Sequence, residues 1–136
     1  GMLAPMDRIV ELDDATRALR DQVLALLREG NYQPPSPSEL QQQLGIGADP
    51  VQVVLQLLVD EGEVVHVSGE FFLWAEAHAT MRAAVISNCE RNGELQIPEL
   101  RTTLGTTRKY LIPVLESFDT TGLTQRRGNT RVLRKT

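Results

Sequence analysis

Aromatic residues make up only 4% of these 136 residues, so a core must be built mainly from Leu, Val and Ile. There is a single cysteine, Cys89. It can form no internal disulfide and has no companion ligands for zinc. The two histidines, His66 and His78, lack metal-ligand spacing. No GxxxxGK[ST] loop occurs, which excludes a nucleotide site of that type. No apolar run approaches the ~20 residues that span a bilayer, and the start lacks the charged-then-apolar pattern of a signal peptide. The acidic residues show no paired catalytic arrangement. The expectation is a cytoplasmic, non-catalytic chain with no metal and no membrane partner.

What is present is globular. A hydrophobic fraction of 41% excludes wholesale disorder, and the length admits one domain or two small ones. Gly1 ahead of Met2 reads as an expression scar, and residues 1–12 as a leader. The net charge of −4 argues against a nucleic-acid partner until it is divided along the chain. Residues 1–74 carry 4 Lys/Arg against 12 Asp/Glu, whereas residues 75–136 carry 10 against 6. From Thr106 onward there are 7 basic and 2 acidic residues. Such asymmetry between halves marks an interaction surface.

The chain repeats itself at an offset of 60 residues. Glu39-Leu40 falls on Glu99-Leu100, Leu44-Gly45 on Leu104-Gly105, and Gly62 on Gly122. The set Val51, Val54, Leu55, Leu58 falls on Leu111, Val114, Leu115, Phe118, both spaced i, i+3, i+4, i+7 as an amphipathic helix requires. Each unit begins with a helix, about Ala15–Glu29 and Ala75–Arg91, with Met81, Ala84, Val85 and Cys89 facing inward in the second. A short helix follows. Ser36 caps the first of these, with Pro37 in its first turn and Glu39 completing a capping box; Ile97-Pro98-Glu99 repeats the proline without a good cap. A third helix starts at Asp49-Pro50 and near Thr106-Thr107. Hairpins close the units, Glu63–Val67 with Glu70–Trp74 about a Ser68-Gly69 turn, and Leu123–Arg127 with Thr130–Arg134 about Gly128-Asn129. The fold class is therefore mostly α with small β-hairpin wings: two tandem winged helix-turn-helix domains, 13–74 and 75–136.

Each copy is a control for the other. Ala48-Asp49 in the first becomes Arg108-Lys109 in the second, and Val65-His66-Val67 becomes Gln125-Arg126-Arg127, with Arg131 beyond the turn. Cations in the first turn of a helix oppose its macrodipole, and a locally unfavourable choice points to function. Five cations on the two elements that a winged helix presents to nucleic acid point to ligand binding. Tyr110, in place of Pro50, fits a core position or a base-stacking platform. Pro113 should kink the third helix. His66 reads as a half-buried strand residue, Cys89 as core, and Trp74 with Phe71 and Phe72 as packing between the units.

The segment from Gly105 to Asp119 reads G-T-x-R-K-x-x-x-P-x-L-E-x-x-D, and Gly122 to Asn129 reads G-x-T-x-R-x-G-N. These motifs resemble the C-terminal end of the bacterial selenocysteine-specific elongation factors, closely over about thirty residues. The resemblance implies a row of winged helices whose last member grips an mRNA stem-loop, the SECIS element. It implies RNA contacts from Arg108, Lys109, Tyr110, Arg126, Arg127 and Arg131, and no cofactor in this segment. GTP would bind an upstream GTPase part that these residues do not include, and ribosome contact would come through the full-length factor. The first unit matches no such motif and reads as an acidic spacer or a ribosome-facing linker in a monomer. The alternative is a tandem winged-helix DNA-binding transcription regulator. Its recognition helix would need more amide side chains to read adenine than this one carries.

Overall fold

A computed structural model describes residues 13–134; the leader expected at 1–12 lies outside the described residues. The first unit runs α1 (Asp14–Gly30), α2 (Pro37–Leu44), α3 (Ala48–Asp60), β1 (Val64–Ser68) and β2 (Phe71–Trp74). The second runs α4 (Ala75–Asn92), α5 (Ile97–Leu104), α6 (Arg108–Thr121), β3 (Thr124–Arg127) and β4 (Thr130–Leu133). Three helices and an antiparallel hairpin thus occur twice, the tandem winged-helix plan that the repeat predicts.

Local chemistry sets the helix ends. The Asp13 carboxylate accepts from the Thr16 N–H at 2.6 Å and opens α1. At α2 the capping box forms in full: Ser36 Oγ accepts from Glu39 N, and Glu39 Oε1 accepts from Ser36 N. Such a cap is worth about 1 kcal/mol. Both short helices end on a left-handed glycine, Gly45 at φ 66° and Gly105 at φ 67°, a conformation that costs other residues energy. No side chain of its own caps α5. Asn88, reaching over from α4 and 1% exposed, does the equivalent work. Its Oδ1 accepts from Gln96 N at 2.7 Å, and its Nδ2 donates to Gln96 O and to Glu99 Oε2.

Each unit has its own core. Val23, Leu27, Leu40 and the α3 stripe Val51, Val54, Leu55, Leu58 form the first. Met81, Val85, Cys89, Leu100 and the α6 stripe Leu111, Val114, Leu115, Phe118 form the second. Each fully buried Leu or Val stabilises the fold by roughly 1.5–3 kcal/mol. Between the cores lies β2. Successive strand residues point to opposite faces, so Phe72 enters the first core and Leu73 the second. Phe71 packs against the second core and Trp74 against both, with the Arg28 guanidinium 5.2 Å from the Trp74 ring centroid. Since α4 begins at Ala75, directly after β2, no linker separates the units.

Two expectations need correcting. The first hairpin turns at Gly69-Glu70, one residue later than expected, because a bulge at Val67 lets Ser68 pair with Phe71. Beyond that bulge the two copies correspond at an offset of 59, so the counterpart of Arg131 is Phe72. His66 is exposed instead of half-buried; its ring lies flat on Phe72 at 4.2 Å, and its Nε2 is 2.8 Å from Gly69 O. Helix α6 continues unbroken through Pro113. The missing N–H there deprives the Lys109 carbonyl of its regular helical donor.

Candidate nucleic-acid interface

Helix α6 is the third helix of the second unit, in the place that a helix-turn-helix gives to recognition. Five of the six described helices carry an acid in the first turn: Asp14, Glu39, Asp49, Glu76 and Glu99. In α6 that turn holds Arg108 and Lys109 and no acid, and its N-cap, Thr107, makes no side-chain cap bond. Both cations are exposed. Each opposes the macrodipole at a cost of about 0.3–1 kcal/mol, so stability does not explain them. The free backbone N–H groups at this end add to an anion-attracting field. The matching outer face of α3 offers Asp49, Gln52, Val53, Gln56 and Asp60, all exposed and none basic.

Lys109 and Tyr110 are brought together, with the Lys109 Nζ 5.2 Å from the Tyr110 ring centroid. Tyr110 is half-buried and meets Phe71 of the first wing edge-on, 6.2 Å between centroids. It stands at the seam between the units, walling a groove of about 390 Å³ whose far side carries Glu39, Glu70 and Phe71. It is thus neither the plain core residue nor the free platform that sequence alone allowed.

The wing divides its arginines. Arg126 and Arg127 are exposed near the tip and, as strand neighbours, leave on opposite faces. Among the described residues no contact joins them to Arg108 or Lys109. Arg131, expected on the same surface, belongs elsewhere. It is 5% exposed, and its Nε donates to Asp119 Oδ2 at 2.9 Å, so its charge is spent inside the molecule. Asp119 Oδ1 also accepts from the Thr124 hydroxyl at 2.6 Å. Sequence reading counted Arg131 by charge and missed its partner, because Asp119 lies twelve residues upstream at the end of α6 and only the fold brings it beside β4.

Burial shifts two of the titratable groups picked out in the sequence. Burial, with Glu90 adding to it, pushes the Cys89 thiol up and disfavours the thiolate. Burial, then Arg82, holds His78 below the usual imidazole value. Among the described residues no cluster of His, Cys, Asp and Glu could hold a metal, and no helix is long and apolar enough to cross a membrane.

Comparison with known proteins agrees with the motif. Residues 87–133 match the family described as the winged helix of elongation factor SelB. The selenocysteine-specific elongation factor of Desulfomicrobium baculatum is 31% identical over 127 residues, which cover 93% of this chain and 20% of that protein. The chain therefore spans about a fifth of that relative's length. Two solved structures share the fold. One is the mRNA-binding domain of elongation factor SelB from E. coli in complex with SECIS RNA, at a TM-score of 0.77 and 21% identity, covering 91% of this chain and all of that one. The other is a bacterial selenocysteine-specific elongation factor, at a TM-score of 0.67 and 23% identity, covering 92% of this chain and 20% of that one. The chain is a winged-helix region of the selenocysteine-specific elongation factor family.

Proposed function

We propose that this chain is a non-catalytic RNA-binding segment of a selenocysteine-specific translation elongation factor, and that its second winged helix grips an mRNA stem-loop of the SECIS kind. The observation that carries this reading is the start of α6, where Arg108 and Lys109 stand exposed in the one described first turn without an acid. The reading is also supported by the fold shared with a SelB domain in complex with SECIS RNA. Arg108, Lys109, Arg126 and Arg127 contact phosphates, and Tyr110 meets an exposed base at the loop or a bulge. An A-form stem hides its bases in a deep, narrow major groove, so backbone shape and unpaired bases are what remain to be read. GTP-dependent steps and ribosome contact belong to other parts of such a factor. The acidic first unit serves as a spacer in a cytoplasmic monomer that needs no cofactor of its own in this segment.

A gel-shift series with an RNA hairpin, the matching DNA duplex and a scrambled hairpin tests the assignment. The hairpin should bind and the duplex should not; preference for the duplex would favour a DNA-binding regulator and overturn the proposal. Arg126→Ala and Arg127→Ala should weaken every hairpin alike, because phosphate contacts carry no sequence information. Each should flatten the log–log salt dependence by about 0.7–0.9. Tyr110→Ala should cost about 1–3 kcal/mol on the loop whose base it stacks and little on others. Equal loss on all RNAs together with a lower Tm would confine Tyr110 to the seam.

A further inference from the structure

We infer that Asp119 is the positioning residue of the RNA-gripping wing, an inference that rests on the functional reading above. Asp119 lies in the last turn of α6, the helix that begins with Arg108 and Lys109. Its two carboxylate oxygens hold one wing strand each: Oδ1 accepts from Thr124 Oγ1 on β3 at 2.6 Å, and Oδ2 accepts from Arg131 Nε on β4 at 2.9 Å. One carboxylate therefore ties helix and ribbon together. Arg131 is also the direct cross-strand neighbour of Arg126. Like charges facing each other across a strand pair repel. By pairing with Arg131 and neutralising it, Asp119 leaves Arg126, exposed on the same face, as the cation that face presents to solvent.

The first unit shows what the same scaffold does without this demand. Val59, Val64 and Phe72 occupy the three corresponding places, and all belong to the apolar packing of the first core. Apolar residues hold a hairpin as well as a buried ion pair does, or better. The polar clamp is found in the wing whose tip carries Arg126 and Arg127, and the apolar one in the wing whose matching positions hold His66 and Ser68. That contrast points to direction rather than stability: charged hydrogen bonds fix distance and angle, which non-directional apolar contact does not.

The experiment uses the full chain and dye-labelled bulged stem-loop RNAs, the SECIS hairpin of the E. coli SelB complex among them. In the wild type, Arg126→Ala should weaken binding roughly tenfold, as loss of a charged phosphate contact does. In an Asp119→Ala background the same substitution should cost less than about twofold, because the coupling is already lost. Asp119→Ala alone should make the salt slope shallower by about 0.7–1.8, the equivalent of one or two phosphates. Thr124→Val copies Val64 and cuts only one of the two bonds; it should stay folded and give an intermediate slope. Hydrogen exchange on the free protein adds a readout independent of RNA: wing amides from Thr124 to Leu133 should exchange faster in Asp119→Ala, while those of α4 keep their protection. An Arg126→Ala effect of the same size with and without Asp119 would overturn the inference, as would unchanged wing exchange. If the wild type binds none of the RNAs, the functional reading falls and the RNA part of this inference with it. The exchange data then still decide whether Asp119 orders the wing.

Discussion

His78 sits where α4 meets α6, its ring 5.4 Å from that of Phe118. Burial is the main reason that its pKa is depressed, with the Arg82 charge second. A depressed imidazole pKa means that the folded chain resists a proton which the unfolded chain accepts from about pH 6.5 downward. The contribution of His78 is therefore complete above that value and is lost progressively as the pH falls from there down through the lower folded-state value. Tm should drop between about pH 7.5 and pH 5.5, and His78→Gln should drop less over the same interval. An equal fall in both proteins would mean that carboxylates dominate the acid response. Side-chain partnership of this kind is what the sequence hides. Arg108 and Lys109 were legible as unusual because a helix start has a known electrostatic preference. Arg131 looked the same by composition, and only the fold reveals Asp119 beside it.

At the scale of elements, most boundaries were legible because a few residues dictate them. Ser36, Pro37 and Glu39 specify the start of α2, and the glycines at 45 and 105 specify the ends of the short helices. The i, i+3, i+4, i+7 stripes mark α3 and α6 and name their buried faces in advance. The start of α5 was read as poorly capped because its cap comes from another helix. Asn88→Ala should leave the Gln96 N–H unpaired in a part-buried place, costing about 1 kcal/mol or more. Thermal melts together with hydrogen exchange at Gln96 and Leu100 check this. A loss below about 0.5 kcal/mol would mean that water substitutes for the amide. The bulge at Val67 was not legible, since Ser68-Gly69 and Gly69-Glu70 are both acceptable hairpin turns and pairing energy decides between them.

At the scale of the molecule, the repeat gave the architecture but not how the copies join. The run Phe71-Phe72-Leu73-Trp74 reads as apolar without saying that its alternate faces feed different cores. Cutting the chain before Ala75 would empty the place of Leu73, which is fully buried in the second core. Leu73→Ala should cost about 2–5 kcal/mol. Because β2 binds both cores, the wild type should melt in one transition, with Trp74 fluorescence and helical circular dichroism coinciding. Two separated transitions would mean that each core stands without the other.

The double-faced strand also sets which changes in chain length the molecule can absorb. A residue added at the Gly69-Glu70 tip only enlarges an exposed loop and leaves the pairing of Val64 with Trp74 in place. A residue added or lost inside Phe71–Trp74 exchanges the faces of everything on one side of it. Phe72 and Leu73 would then be presented to each other's cores, and a ring and a branched aliphatic chain would both meet sockets of the wrong shape. In this fold, a one-residue insertion is absorbed or breaks both cores according to a distance of two residues.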